Sequence, residues 1–350
     1  MAHKNETPVL VLSLLVTLGL LGGGVWWFTR QAFHGKTSTA TSTEPSSPLA
    51  AHPPQQGSAT FADVQAVPSG LFNYGGSTTW APIRGQVDTE IQKAWPSFRL
   101  VYTNPVSEPP GSTTGIRMLL NNQLAFAQSS RSLKPEEYQE AKTRGFNLNE
   151  IPVALEGIAI AVNPNLNIPG LTVEQLKGIY TGQISNWSQV GGPNVAIVPY
   201  SRPAEDSGTV EFFVENVLGG SKFSNTVKTI GTTTQAIREL SINSGGIYYA
   251  SAPEIISQCT IKPLPVGRSS NQLIAPYQQP FVPASQCPAQ RNQIDAAALQ
   301  TGQYPLTRRL FVVVKQNGQG DQQAGEAYAK LLLTDQGQNL LTQAGFVRIR

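Results

Sequence analysis

GIAIAVNPNLNIPGLTVEQLKGIYTG, residues 157–182, is the stretch from which the class of fold is read. Gly157 to Val162 is an unbroken apolar run, as in a central strand covered on both faces. Leu171 to Tyr180 then takes up a helical period, with Thr172 placed to cap it and Glu174 in its first turn. Val195 to Tyr200 (VAIVPY) is the next strand and runs directly into Ser201-Arg202. Strand, helix and strand in succession predict an α/β fold.

The same alternation extends outward in both directions. Ile83, Val87, Ile91 and Trp95 recur every four residues, with Pro82 acceptable in a first helical turn. Ile116, Leu119 and Leu120 mark one helical face, and Leu124 to Gln128 reads as a short buried strand. Downstream, Phe213, Val214, Val217 and Leu218 form an apolar stripe, and Leu310 to Val314 (LFVVV) is a further buried strand. From Asp321 the tail reads as a helix pair with Leu331–Leu333 in the core. No internal repeat is visible.

Three Gly/Ser/Thr loops each run into a helical pattern. They are Gly75-Gly76-Ser77-Thr78-Thr79-Trp80, Gly111-Ser112-Thr113-Thr114-Gly115 and Asp206-Ser207-Gly208-Thr209. Each offers backbone N–H groups and hydroxyls at the positive end of a helix, the arrangement that holds an oxyanion. One such loop alone is an ordinary helix cap. Three of them accompanied by arginines are a stronger signal. Ser130-Arg131 follows the Leu124–Gln128 strand, and Arg202 precedes the third loop. A guanidinium matches phosphate-type oxygens with a fork of donors. For Arg131 a solvated surface position is the plain alternative.

Catalysis fits this inventory poorly. The three histidines, His3, His34 and His52, all precede the folded region, which removes the commonest general base and metal ligand. No G-x-x-x-x-G-K-[ST] or G-x-G-x-x-G motif is present, so none of the loops is a nucleotide cradle. Ser207 has no histidine to activate it, and no S-x-x-K signature supplies a lysine. Glu205 and Asp206 are better suited to orienting Arg202 or capping a helix than to acid–base work. The loops are built to grip a small anion without transforming it, and no cofactor or metal is expected.

Composition sets outer bounds. Of 350 residues 40% are hydrophobic, enough for a real core, and only 13% are charged. A net charge of +3 without any Lys/Arg run excludes a nucleic-acid surface. Cys259 and Cys287 have neither the number nor the spacing for a zinc site. They are two buried thiols or, as the N-terminus suggests, a disulfide formed outside the cytoplasm.

That N-terminus, residues 1–35, contains an uncharged stretch from Pro8 to Phe28, with Lys4 and Glu6 before it and Arg30 after. About 20 apolar residues match the ~30 Å hydrocarbon core of a bilayer. Trp26 and Trp27 fall where an aromatic belt belongs. An uncleaved signal anchor with its N-terminus inside is the leading expectation, and a cleavable signal peptide the rival. Residues 36–60 form a Ser/Thr/Pro-rich tract without periodicity, expected to be a flexible tether.

Taken together, residues Phe72 to Arg350 resemble the phosphate-binding proteins of bacterial ABC transporters, which have the type II periplasmic-binding fold. The most specific stretch is Ala154 to Asn194, ALEGIAIAVNPNLNIPGLTVEQLKGIYTGQISNWSQVGGPN, similar to that family's crossing strand and the signature after it. Arg202…Ser207-Gly208-Thr209, Gly245-Gly246-Ile247-Tyr248-Tyr249 and Tyr304-Pro305-Leu306 resemble further family landmarks.

The resemblance implies one binding domain over residues 61–350 with two α/β lobes joined by a hinge. The first lobe would hold about 61–155 and 308–350, the second about 156–307. A dehydrated inorganic phosphate would lie between them, held by Ser77, Thr78, Thr79 and Trp80, by Ser112 and Thr113, by Ser130 and Arg131, and by Arg202, Ser207, Gly208 and Thr209. It further implies a monomeric receptor on the extracytoplasmic, periplasmic face, tethered to the inner membrane or secreted if cleaved. Membrane permease subunits would recognise its closed form and import the anion.

Two departures matter: the first leaves the anion open, the second the donor geometry of Arg202. Some members have an aspartate, which accepts the proton of hydrogen phosphate, where Ser130 stands here. A serine rejects fully deprotonated sulfate less firmly than a carboxylate. Arg202 also precedes Ser207 by one residue more than in the common R-x-x-x-S-G-T form. Glu156 occupies the place of a frequent aspartate before Gly-Ile-Ala, as a hinge group or a surface residue. Phosphate leads, with sulfate, or a sensor or storage role without a permease, as alternatives.

Overall fold

The computed structural model describes residues 59–203 and 208–349. The anchor expected over 1–35, the tether over 36–60 apart from its last two residues, and Ser207 lie outside the described residues. All of what is described belongs to one compact unit, Gln55–Arg350. Among the described residues no helix is long and apolar enough to cross a membrane.

The described residues form twelve strands in chain order: β1 Gly70–Gly76, β2 Phe98–Tyr102, β3 Phe126–Ser129, β4 Asn147–Val162, β5 Leu171–Thr172 and β6 Val198–Ser201, then β7 Lys228–Thr229, β8 Gly246–Ser251, β9 Lys262–Leu264, β10 Val266–Gly267, β11 Leu273–Ile274 and β12 Thr307–Gln316. The main sheet runs β2-β1-β3-β12-β4-β8-β6-β7, with β9 also on β4. β5, β10 and β11 make a small separate sheet.

The two-lobed architecture comes from β4. Its 16 residues exceed the usual strand length, and it changes partners part-way. Asn147 to Gly157 pairs antiparallel with β12, and Ile158 to Val162 pairs with β8. The apolar run Gly157–Val162 is therefore only the second half of the strand. Its first half, NLNEIP, is partly exposed and lacks the continuous hydrophobicity that marks a buried strand.

Each lobe buries its own core. One gathers Trp80, Ile83, Phe126, Leu310, Val312 and Tyr328; another gathers Ile160, Leu176, Trp187, Phe213, Tyr249 and Leu264. The helix Val173–Tyr180 starts where the sequence placed its cap. Gln175 N–H donates to Thr172 Oγ1 at 3.1 Å, and Gln175 Oε1 accepts from Thr172 N–H at 2.8 Å. This reciprocal box satisfies two donors that a helix start leaves open. Helices Gly320–Leu332 and Asp335–Gln343 form the tail pair, burying Leu331 and Leu332. Cys259 and Cys287 are joined in a disulfide, with Cα atoms 5.7 Å apart.

Candidate functional site

The three loops meet because two glycines let the backbone close up. A Cβ at Gly76, whose φ is +121°, would collide with the Gln128 carbonyl at the end of β3. A Cβ at Gly115, in the helix Ser112–Leu120, would collide with the Gly76 Cα. Only residues without side chains fit there, so Ser77, Ser112 and Ser130 arrive side by side at the carboxyl ends of the parallel neighbours β1 and β3. Ser77 Oγ donates to Ser130 Oγ at 3.0 Å, and Ser112 and Ser130 Oγ lie 3.2 Å apart. Ser130 N–H also donates to Ser112 Oγ at 3.1 Å. Each of the three serines is at most 1% exposed.

The other lobe supplies the fourth wall. Gly208 opens the helix Gly208–Asn216 and faces the serines closely enough that a Cβ would sit 2.7 Å from Ser130 Oγ and 3.2 Å from Ser77 Oγ. With Ser77 before the turn Thr78–Trp80 and Gly111 before the helix at Ser112, three helix N-termini point their positive ends into one crevice.

Polar groups beneath hold the first loop in place. Arg84 Nη1 donates to the Ser77 carbonyl at 3.2 Å and to Gln128 Oε1 at 3.0 Å, and its guanidinium stacks 3.9 Å from the Tyr102 ring centroid. Tyr102 donates to the Gly76 carbonyl at 3.0 Å. These bonds draw the loop carbonyls away from the crevice. Gln128 Nε2 continues the network to Tyr328, which donates to Asp88 at 2.9 Å; Tyr74 donates to the other oxygen. Burial pushes Asp88 up to about 6, against its two tyrosine hydrogen bonds.

Arg308, on β12, is the residue that sequence reading missed. Its side chain is 2% exposed and all its nitrogens are engaged. Nε donates to Glu156 Oε2 at 2.6 Å and Nη1 to the Gly208 carbonyl at 2.7 Å. Nη2 reaches Thr79 Oγ1 at 2.9 Å and Thr209 Oγ1 at 3.1 Å. Arg308 and Glu156 are register partners where β4 and β12 cross between lobes. Glu156 is thus a buried hinge carboxylate and not a surface residue; Ser251 also donates to it. The available signal was the pair Arg308-Arg309 before the buried run LFVVV: strand alternation puts Arg308 on the same face as Leu310, where a charge requires a buried partner, while Arg309 is exposed.

The remaining expected residues divide. Thr78, Thr79, Arg202 and Thr209 line a cavity of about 240 Å³ beside the serine cluster, together with Tyr248, Tyr249 and Glu254. Ser201 Oγ anchors this strand end through the Arg202 carbonyl at 2.9 Å and the Tyr249 hydroxyl at 2.7 Å. Burial raises the Tyr249 phenol far above its ordinary value, so it stays a neutral donor. Trp80 is fully buried in the core and donates to the Ser129 carbonyl at 3.1 Å, propping the serine loop from behind. Thr113 and Arg131 turn outward from the serines: Arg131 is bound by Glu137 and Glu211, and Thr113 donates to Glu211. The expectation that they face the anion differs from this placement, because carboxylates close by already occupy their donors.

A PBP superfamily domain matches residues 46–336, most of the chain. The chain belongs to the PBP superfamily. Within it, the chain is 25% identical over 276 residues to the phosphate-binding protein PstS of Staphylococcus haemolyticus, covering 78% of this chain and 79% of that one. It is 26% identical over 243 residues to the PstS of Staphylococcus saprophyticus, covering 68% and 69%. Among solved structures it resembles an ABC-type phosphate transport receptor from Vibrio cholerae, with TM-score 0.63 and 23% identity over 79% of this chain and 99% of that one. A putative phosphate ABC transporter substrate-binding protein with bound phosphate, from Clostridium perfringens, gives TM-score 0.60 and 21% identity over 80% and 100%. This PBP superfamily member therefore shares their two-lobed fold.

Proposed function

We propose that the protein binds inorganic phosphate between its lobes and delivers it to the permease subunits of an ABC-type importer. The observation that carries this reading is the convergence of Ser77, Ser112 and Ser130 from one lobe with Gly208 from the other in a buried crevice. Hydroxyls and helix-end amides in such a place replace the water around a tetrahedral oxyanion, and Arg202 in the adjoining cavity adds a cation. Phosphate-binding relatives with similar coverage support the choice of anion. Ser207, Gly208 and Thr209 are its donors on the second lobe, and it works as a monomer on the extracytoplasmic face, held by its N-terminal segment. The Cys259–Cys287 disulfide suits an oxidising compartment. The protein is a receptor and turns over nothing.

Calorimetry of the purified chain with phosphate and with sulfate, at several pH values, tests the reading. Tight phosphate binding with sulfate far weaker supports it; equal affinity, or sulfate preferred, replaces phosphate with another oxyanion. Co-purification with permease subunits separates an import receptor from a sensor or store.

A further inference from the structure

The segments that build the crevice carry a second set of contacts just outside it. Thr113 follows Ser112, Arg131 follows Ser130, and Glu211 lies two residues beyond Thr209. Thr113 Oγ1 donates to Glu211 Oε1 at 2.6 Å, and Arg131 Nε donates to the same oxygen at 2.8 Å. Arg131 Nη2 also donates to Thr113 Oγ1 at 2.8 Å. One turn along the same helix, Lys134 Nζ lies 2.9 Å from Glu215 Oε1. Thr113, Arg131 and Lys134 belong to the lobe of β1–β3; Glu211 and Glu215 ride on the helix Gly208–Asn216 of the other.

The two sides of this contact are not equivalent. Arg131 is 6% exposed and fixed within its own lobe by both oxygens of Glu137, at 3.0 and 2.7 Å, and by the Ser132 carbonyl at 2.8 Å. If the lobes part, Arg131 keeps that clamp and stays in place, while Glu211 returns to water. A preorganised guanidinium loses little freedom when the partner carboxylate docks. Because Glu211 sits one turn inside the helix that begins at Gly208, docking it also sets the helix N-terminus against the serines.

We propose that Arg131, Thr113 and Glu211 form an interlobe clasp that sets how long the anion is held. They are positioning residues that touch one another across the cleft and not the ligand. The proposal rests on the reading of the crevice as an anion site. It makes a prediction opposite in sign to simple electrostatics. Glu211 is a negative charge near a bound anion, so neutralising it without a clasp would slow anion release.

The test is stopped-flow release of inorganic phosphate from the full chain, the Glu211→Gln variant and the Thr113→Val variant. Loss of one charge-assisted bond is expected to speed release about tenfold in each, with association little changed. Added salt should speed release from the parent more than from Glu211→Gln. Unchanged or slower release in Glu211→Gln overturns the clasp. Hydrogen exchange at the Ser130 and Gly208 amides, measured without phosphate, reads the clasp independently of the anion. Faster exchange in both variants supports it, and exchange equal to the parent overturns it. If the parent binds no phosphate, the anion reading fails while this exchange result still decides the clasp.

Discussion

Replacing Arg308 by alanine isolates the buried pair at the lobe crossing. The substitution leaves Glu156 fully buried, with the Ser251 hydroxyl as its other hydrogen-bond donor. It also removes the bonds that the guanidinium makes to the Gly208 carbonyl and to the Thr79 and Thr209 hydroxyls, at 2.7, 2.9 and 3.1 Å. Breaking a buried ion pair by removing one partner costs about 3–5 kcal/mol, because the surviving charge is uncompensated. Urea unfolding at neutral pH should therefore show Arg308→Ala destabilised by that order. Glu156→Gln should cost less, since its amide oxygen can still accept from Nε. The two changes diverge in anion affinity. Glu156→Gln leaves a whole positive charge beside the crevice and should tighten phosphate binding by about 1 kcal/mol at intermediate screening. Arg308→Ala removes both the charge and the tie on Gly208 and should weaken it. The reasoning fails if Arg308→Ala unfolds at the parent's urea concentration, or if Glu156→Gln binds no more tightly than the parent.

Ser112→Ala and Thr209→Ala should each weaken phosphate binding by about 1–3 kcal/mol in calorimetry, as expected for a lost buried bond to a charge. Gly208→Ala places a Cβ 2.7 Å from Ser130 Oγ and so pushes the helix start off the serines; calorimetry should show reduced phosphate affinity. Ser130→Asp should sharpen the rejection of sulfate; an unchanged phosphate-to-sulfate ratio would show that position 130 does not meet the ligand. Asp88 has its folded value raised from 3.8 to about 6 by burial. The folded state therefore holds its proton more tightly, and stability from this group is full below pH 3.8 and lost as pH rises through about 6. The linkage is worth at most about 3 kcal/mol. Asp88→Asn should flatten that part of the stability–pH curve; an unaltered slope between pH 4 and 6 would count against the shift.

What was legible in the chain was whatever depended on local pattern. GIAIAV announced a buried strand, Thr172 its helix cap, and the Gly/Ser/Thr loops their helix starts. Even the grouping of the loops followed from similar chemistry at three strand or helix ends. Side-chain direction was not legible. Arg131 sits next to Ser130 in sequence, yet a guanidinium goes to the nearest carboxylates, and Glu137 and Glu211 reach it first. Trp80 follows the loop hydroxyls but packs into the core, where so large an apolar surface is more stable. Arg308 was hidden for the converse reason. Its partner Glu156 lies 152 positions away, and only the antiparallel register of β4 and β12 brings them together.

The serine cluster also explains why such a site needs two lobes. Ser77, Ser112 and Ser130 bond one another, so one lobe alone leaves none of these buried hydroxyls without a partner. An entering anion must replace neutral hydroxyl–hydroxyl bonds with charge-assisted ones, which are roughly twice as strong. That gain has to exceed the cost of stripping water from a doubly charged ion, which several hydroxyls cannot meet by themselves. The difference comes from three helix N-termini already aimed at the crevice, one of them on the opposite lobe, and from Arg202, which lines the adjoining cavity. These need no reorganisation when the ion arrives, provided the helix starting at Gly208 is held against the serines. Arg308 ties the first turn of that helix through the Gly208 carbonyl, and Glu211 ties the next turn through Arg131 and Thr113. On the proposed reading, affinity in this protein is controlled as much by the ties on one short helix as by the hydroxyls that would meet the anion.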